Sequence, residues 1–251
     1  MRLLRQTRLL LVAELRQELR SLEVVISSAF FAVVMLALFA LSLGALSPSA
    51  QLSAIPGALW LSVAFVGALT LTRVFDRERE SDTLRALLIA PVDRLAIYLA
   101  KAALALLVVL ISTLVLVPGL CVIFPAAAPI VERPLLSAAM VVLGCVGYVA
   151  VGTLFAAGLA QGGGKNVLLS LILHPLTTPV LMFNLVATRA LLERHPGTGE
   201  YLGRMAALDV LLLAVAAWLF EPVLVGGAPR RAPGDDARIA AARARARGGR
   251  P

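Results

Sequence analysis

The chain has 251 residues, of which 60% are hydrophobic and 15% are charged, and its formal net charge is +8 at pH 7. Soluble globular domains are nearer half apolar and a quarter charged, so this composition excludes an ordinary soluble domain and indicates a membrane protein. The basic residues lie beside long apolar runs, where they report membrane topology, and no nucleic-acid partner is expected.

Residues 1–24 are predicted to form an amphipathic helix that lies in the membrane interface. Leucines recur there at near-helical spacing, and basic and polar residues fill most of the positions between them. An ordinary polar extension is the alternative. A cleavable signal peptide is not expected, because Glu14, Arg16, Glu18 and Arg20 interrupt the apolar core that such a peptide needs.

Six apolar runs follow, each long enough to cross a bilayer as a helix. This pattern predicts an all-α, polytopic transmembrane domain over residues 25–225. Cys121 and Cys145 lie inside such runs, without CxxC or Cys/His spacing, so neither a disulfide framework nor a metal site is predicted. The predicted spans are about 25–46, 56–73, 98–120, 134–159, 167–187 and 205–225.

The distribution of Lys and Arg predicts that both termini are cytoplasmic. All but four of the 23 Lys and Arg residues fall in segments on the same side of the membrane as the N-terminus. The tail, 226–251, is basic and poor in large apolar residues, and is predicted to be a disordered cytoplasmic segment. The four exceptions are Arg133, Arg189, Arg194 and Arg204.

The connection between the second and third predicted spans, 74–97, is densely charged. From Arg73 to Arg85, four basic and four acidic residues cancel. Each such charge at the centre of a span would cost about 2.5–3.5 kcal/mol. The segment therefore lies in water or at the interface, on the cytoplasmic side.

The second half of this connection is amphipathic. Leu84, Leu87 and Leu88 have helical spacing, Asp82 or the serine before it can cap a helix, and Pro91 ends it. Two interpretations remain open from the residues alone. One is a solvated loop at the bilayer surface; the other is a helix that docks a soluble partner through its leucines, with the mixed charges as a rim.

Three segments carry motifs of a known family. Residues 56–101 resemble the second span and following connection of the CcmB family, the membrane subunit of the cytochrome c maturation (haem exporter) ABC transporter. "LILHPLTTPVLMFN" (171–184) and "FFAVVMLALFALSLG" (30–44) resemble family patterns in the fifth and first spans. The resemblance covers about residues 5–225. Positions that fit in the first motif are Phe75, Asp76, Thr83, Leu84, Leu87, Leu88, Pro91 and Lys101.

The chain departs from the family pattern at three positions. Asp82 stands where the family has Gly, which suggests a different bend or a helix cap. Arg85 stands where the family has Glu, which reverses a charge on the expected partner surface. His174 stands where the family is usually apolar.

The resemblance implies a fold like that of type 2 ABC exporters and a permease subunit rather than an enzyme. The chain has no phosphate-binding G-x-x-x-x-G-K-[ST] motif, so ATP would be hydrolysed by a separate CcmA-like subunit. Further implied partners are CcmC-like and CcmD-like membrane subunits, a CcmE-like haem chaperone, the lipid bilayer and a second copy of the chain. No cofactor is assigned to this chain; haem is a candidate substrate, and the bacterial inner membrane is the implied location.

The residues expected to dock the ATPase lie in the connection between the second and third spans. They would form a coupling helix that passes conformational change to the spans. They are Phe75, Asp76, Asp82, Leu84, Arg85, Leu87, Leu88 and Pro91.

The fifth span holds a polar and proline-rich motif. His174 is either a haem ligand or a histidine bonded to a backbone carbonyl that Pro175 or Pro179 leaves free. The two prolines predict a kink or a break into half-helices, which is either a hinge or a static feature.

Two further patterns concern packing and solvation. Gly144, Gly147, Gly152 and Ala156 predict a small-residue face for close helix packing in the fourth span. Asp209 and Glu221 lie near opposite ends of the last span, and each is expected to be solvated because it can reach the interface.

Two other functions stay open from the sequence. One is an ABC export permease for a lipid, polysaccharide or drug. The other is a membrane assembly scaffold that binds partners without transport.

Overall fold

A computed structural model describes residues 2–80, 92–161 and 166–226, with side chains over 3–75, 92–158 and 177–222. These residues form a bundle of α-helices and contain no strand, which confirms the predicted all-α, polytopic membrane fold. A 3₁₀ turn, Pro125–Ala127, precedes the short α5. The helices are α1 (Arg2–Ser21), α2 (Glu23–Leu43), α3 (Pro48–Glu80), α4 (Arg94–Ile123), α5 (Ala128–Glu132), α6 (Pro134–Gln161), α7 (Asn166–Leu192) and α8 (Thr198–Gly226).

Five of these helices contain a segment long and apolar enough to cross a membrane, by length and composition. In α7, the part with described side chains contributes a shorter apolar stretch, Thr177–Leu192. The predicted spans leave residues 47–55 and 188–204 as connections. Two of these boundaries are wrong, because α3 already begins at Pro48 and α8 at Thr198. Hydropathy detects only the apolar part of a helix, whereas the helix itself can continue through polar turns beyond that part. The five segments are Glu23–Leu43, Pro48–Phe75, Arg94–Ile123, Pro134–Gly158 and Thr198–Pro222.

Short connections reverse the chain between consecutive spans, so the bundle has two distinct ends. The near end carries α1, the beginnings of α2 and α4, and the ends of α3 and α8; Arg73 contacts Glu23 there, and Arg94 contacts Glu221. The far end carries residues 44–47, 124–133 and 193–197, where Arg194 contacts Glu132. These ion pairs fix which helix ends lie together.

Helix α6 is the centre of the bundle and packs against α3, α4, α7 and α8. Its glycines allow this. A Cβ on Gly144 would lie 2.0 Å from the Trp60 ring, and a Cβ on Gly152 would lie 2.3 Å from a Leu71 methyl. Ala156 is buried on the same helix. The predicted small-residue packing face is confirmed.

Hydrogen bonds between buried side chains and neighbouring helices hold the spans in register. Trp60 Nε1 of α3 donates to Thr188 Oγ1 of α7 at 2.8 Å. The Tyr98 and Tyr148 hydroxyls donate to the backbone oxygens of Ala150 and Ala64 at 3.0 and 2.8 Å. Such bonds contribute because hydrocarbon offers a polar group no other partner.

Helix α7 includes both Pro175 and Pro179 within its bounds, Asn166–Leu192. The chain stays helical across the motif, so the expected break into half-helices does not occur. Proline removes a backbone donor, and the Thr177 and Thr178 side chains between the two prolines both take part in contacts. A hinge role for the motif stays a prediction.

Candidate functional site

The predicted docking residues begin at the near end of α3. Phe75 is the one whose side chain is described, and it is buried at 3% exposure. Phe75 therefore supports the connection from inside the bundle and offers no surface in this chain. The Asp76 side chain and the remaining predicted residues lie outside the described residues: Asp82, Leu84, Arg85, Leu87, Leu88 and Pro91.

A buried ion pair lies beside Phe75. Lys101 Nζ of α4 is 2.6 Å from Glu14 Oε1 of α1, and the Lys101 side chain is only 3% exposed. The same ammonium lies 6.0 Å from the centre of the Phe75 ring, at the limit of a cation–π contact. A lysine buried this deeply needs a negative partner, so Glu14 ties α1 to α4, the helix that follows the 81–91 connection.

Glu18, one turn further along α1, caps the first span. Its Oε1 accepts hydrogen bonds from the backbone N–H groups of Val24 and Val25 at 2.9 and 3.1 Å. The first N–H groups of a helix have no partner inside it, and a negative charge there also complements the helix dipole. Between the two helices, Leu22 has φ 52°, which makes the tight corner that brings Glu18 over the start of α2.

The beginning of α1 contacts the beginning of α4. Gln6 Oε1 accepts from the Asp93 N–H at 3.2 Å, and the Asp93 carboxylate caps α4 by accepting from the Leu95 N–H at 3.0 Å. Gln6 and Glu14 are as far apart in α1 as their partners, Asp93 and Lys101, are in the chain. Helix α1 therefore runs alongside the first turns of α4 in the same direction. We call the contacts of Gln6, Glu14 and Glu18 with α2 and with the start of α4 the junction.

The leucines of α1 do not share a single environment. Leu10, Leu11 and Leu15 are partly buried and pack against the core, whereas Leu4 and Leu19 are exposed. One side of the helix is thus part of the bundle, and the other offers apolar side chains to lipid or to a partner.

The two carboxylates of the last span have different surroundings. Glu221 is exposed and pairs with Arg94 at 2.8 Å, as expected of a solvated end residue. For Asp209 the expectation is wrong: this residue is buried at 5% exposure among α6, α7 and α8. The sequence position is near one end of the apolar run, but α8 begins earlier than that run, so Asp209 lies deep in the helix.

Sequence reasoning missed Glu14 and Glu18 as functional residues, because in the sequence they only interrupt an apolar run. Their four-residue spacing places both on one face of α1, beside the packed Leu11 and Leu15, and an acidic pair on an apolar face requires partners. Lys101, the single lysine within a predicted span, was the available basic partner.

The junction joins α1 to α2 and to the start of α4 by polar contacts of which the Glu18–Val24 bond is buried and the Gln6–Asp93 bond is exposed. Among the described residues, no group of three His, Cys, Asp or Glu side chains could hold a metal ion. The His174 side chain is outside the described set, and its haem role stays a prediction.

Comparison with known families identifies the family of this chain. The family described as "CcmB protein" matches residues 5–224, which is most of the chain. The chain belongs to the CcmB family. Membership implies a membrane permease subunit of the cytochrome c maturation haem-exporter ABC transporter, which works with a CcmA ATPase and other Ccm components. No curated protein matches the chain.

Two residues of the CcmB motif lie together at the near end. Phe75 stands at the start of the charged connection, Lys101 follows the connection, and Glu14 of α1 binds Lys101. The spacing of a CcmB motif thus corresponds here to a physical contact.

Proposed function

We propose that this CcmB-family chain couples ATP hydrolysis in a separate CcmA-like subunit to movement of its own spans, through residues 75–91 and the junction. The ATPase docks on the 76–91 connection, with Leu84, Leu87 and Leu88 as apolar contacts. Helix α1 passes the displacement to α2 and α4. Nucleotide-dependent contacts supply the bias between two arrangements of the spans.

The observation that carries this proposal is the Glu14–Lys101–Phe75 contact. The flank that follows the connection contacts α1 twice, through Asp93 with Gln6 and through Lys101 with Glu14. The flank that precedes it reaches this site through Phe75, whose ring centre lies 6.0 Å from Lys101 Nζ. A displacement of the connection would therefore act on the Glu14–Lys101 pair.

We further propose that the near end faces the cytoplasm. The N-terminal helix, the described flanks of the densely charged connection and the end of α8 that leads into the basic tail all lie there. Lys and Arg are enriched in cytoplasmic segments of membrane proteins. A soluble ATPase would thus reach the connection directly.

The reaction served is release of a haem-loaded, CcmE-like chaperone from a CcmC-like subunit, rather than passage of haem through this chain. The close packing of α6 supports this choice. Trp60 and Leu71 fill the space beside Gly144 and Gly152, and Asp209 fills the space beside Gly147. A macrocycle would have to displace these side chains.

Co-purification with the ATPase subunit tests the docking step. The change is Leu84→Asp with Leu88→Asp, and the matched control is Val131→Asp, an exposed residue in α5 at the far end. The expected result is loss of ATPase from the purified complex with the first variant only. Equal recovery of ATPase from both variants would contradict docking on this connection.

Complementation of a deletion strain tests the biological role. Haem-stained gels of membranes are expected to show c-type cytochromes with the wild-type chain and none without it. Normal c-type cytochromes in the deletion strain would contradict a role in cytochrome c maturation, whatever the outcome of the docking test.

A further inference from the structure

Asp209 is a carboxylic acid in the interior of the bundle. It is the twelfth residue of α8, which places it roughly 16 Å along the helix from Thr198 at 1.5 Å per residue. Its exposure of 5% leaves almost no access to solvent. Acidic residues at such a depth are rare in membrane spans and tend to have functional roles.

The carboxyl group presses against the glycine face of α6. A Cβ added to Gly147 would lie 2.3 Å from Asp209 Oδ1 and 3.1 Å from a Val180 methyl of α7. Within the described part of the chain, Asp209 Oδ2 has no hydrogen-bond partner. Asp209 Oδ1 is thus packed against α6, and Asp209 Oδ2 is enclosed without a described hydrogen-bond donor.

No described cation is placed to neutralise this group. Helix α6 contains neither Lys nor Arg over Pro134–Gln161. In α4, Arg94 pairs with Glu221 and Lys101 with Glu14, both at the near end. In α7, Arg189 pairs with Glu193 at the far end, and in α8 itself Arg204 pairs with Glu200.

Apart from these basic residues, the titratable groups with described side chains on α4 and α6 are thiols and phenols, and the His174 side chain of α7 lies outside the described residues. The buried Cys145 thiol of α6 is close enough to interact electrostatically with Asp209. The Tyr148 and Tyr98 hydroxyls already donate to backbone oxygens elsewhere. An ionised Asp209 would therefore be an uncompensated negative charge in a low-dielectric interior, which is strongly unfavourable.

We propose that Asp209 is a proton-binding site within the membrane, and that its proton holds α8 against the glycine face of α6. The neutral acid fits the enclosed space beside Gly147. Loss of the proton creates a carboxylate that must reach water or a cation, and it can do so only if α8 separates from α6. The ligand is a proton, and the element that responds is the α6–α8 interface.

Infrared spectroscopy of the full chain in lipid bilayers tests the protonation directly. The spectrum of the wild-type protein with isotope-labelled Asp is compared with that of Asp209→Asn at neutral pH. The expected difference is a carbonyl band of a protonated carboxylic acid that Asp209→Asn lacks and that disappears only at alkaline pH. A carboxylate band from Asp209 at neutral pH would overturn the proposal.

The separation of α8 from α6 has an independent reporter in Cys145. In a Cys121→Ser background, a membrane-permeant maleimide is applied at increasing pH to the chain that retains Asp209 and to the Asp209→Asn variant. Labelling is expected to rise several-fold more steeply in the chain that retains Asp209, because the amide cannot lose a proton and both chains share the same thiol. Parallel curves would overturn the proposed coupling to the interface.

If Asp209→Asn fails to accumulate, the infrared test can use a variant that carries a different carboxylic acid at this position. Asp209→Glu retains a titrating group, and its carbonyl band is expected at a shifted frequency with the same dependence on pH. A band unchanged between the Asp and Glu forms would show that another residue produces it, and would overturn the assignment.

Discussion

At the near end of the bundle, polar contacts join five helices, α1, α2, α3, α4 and α8, and in the contact of Glu14 with Lys101 the lysine side chain is buried. At the far end, Arg194 forms a two-point hydrogen bond with Glu132, at 3.0 and 2.5 Å, but both side chains are about half exposed. This bond raises the pKa of Arg194, which is already high enough to keep it charged. Water screens the Arg194–Glu132 pair at the far end, whereas the Lys101 side chain of the near pair is enclosed by the bundle.

The apolar surface of the two ends differs as well. Between α4, α5 and α6, the far end has an open apolar cavity of about 690 Å³, lined by residues such as Leu114, Val122 and Val142. The near end holds a more polar recess of about 430 Å³ around Asp93, Arg94 and Glu221. The near end thus presents polar groups with defined partners, whereas the cavity at the far end is lined by apolar side chains.

The largest expected effect comes from breaking the buried pair at the near end. Lys101→Met leaves Glu14 without this partner and is expected to destabilise the fold by about 3–5 kcal/mol, since an unpaired buried charge is costly. Reversible unfolding in mixed micelles measures it. The double variant Lys101→Met with Glu14→Gln removes both charges and is expected to recover most of the loss; no recovery would mean that the pair is not the cause.

A substitution between the two ends provides the next largest effect. Gly147→Ala places a methyl 2.3 Å from Asp209 Oδ1, and such overpacking is expected to cost about 1–3 kcal/mol. Gly203→Ala in α8 is the control, because nothing lies within 4 Å of a Cβ there. Equal unfolding midpoints for the two variants would show that α6 and α8 are less closely packed than described.

The cap at the corner between α1 and α2 is expected to contribute less. Glu18→Ala removes the acceptor for the Val24 and Val25 N–H groups, at a cost of about 0.5–2 kcal/mol. Glu18→Gln keeps an acceptor oxygen and is expected to retain part of the stability. Hydrogen exchange at the first turn of α2 reports the effect locally, and unchanged exchange in the Ala variant would contradict a capping role.

The smallest effect is expected at the far end. Arg194→Ala removes an exposed pair, and exposed pairs contribute little and are screened by salt. The unfolding midpoint is expected to shift only slightly at low salt and not at all at high salt. A shift as large as that of Lys101→Met would remove the difference between the two ends.

Several elements were predictable because their signals are local. The apolar runs predicted the spans, and the glycines of α6 predicted close packing, since only small residues let helices approach each other. That the charged connection lies outside the bilayer stays a prediction, because residues 81–91 lie outside the described part of the chain. Helix ends were less predictable: α3 and α8 continue through polar turns that hydropathy does not mark as helix.

The contacts of the junction could not be predicted from the sequence. Glu14 and Lys101 lie far apart in the chain, and nothing local to either indicates the other as its partner. Asp209 shows the same limit. Its position near the edge of an apolar run suggested a solvated residue, and only the packing of α6 and α7 around α8 encloses it.

Hydrophobicity and motif spacing act along the chain, and they were enough to identify the class of molecule, five of the predicted spans and the family. Which charges are buried and which are paired depended on folding, because burial is set by neighbours that are distant in sequence. In a low-dielectric interior those neighbours determine whether a charge is tolerated. In this protein Lys101 is neutralised by Glu14, whereas the described chain supplies no cation for Asp209.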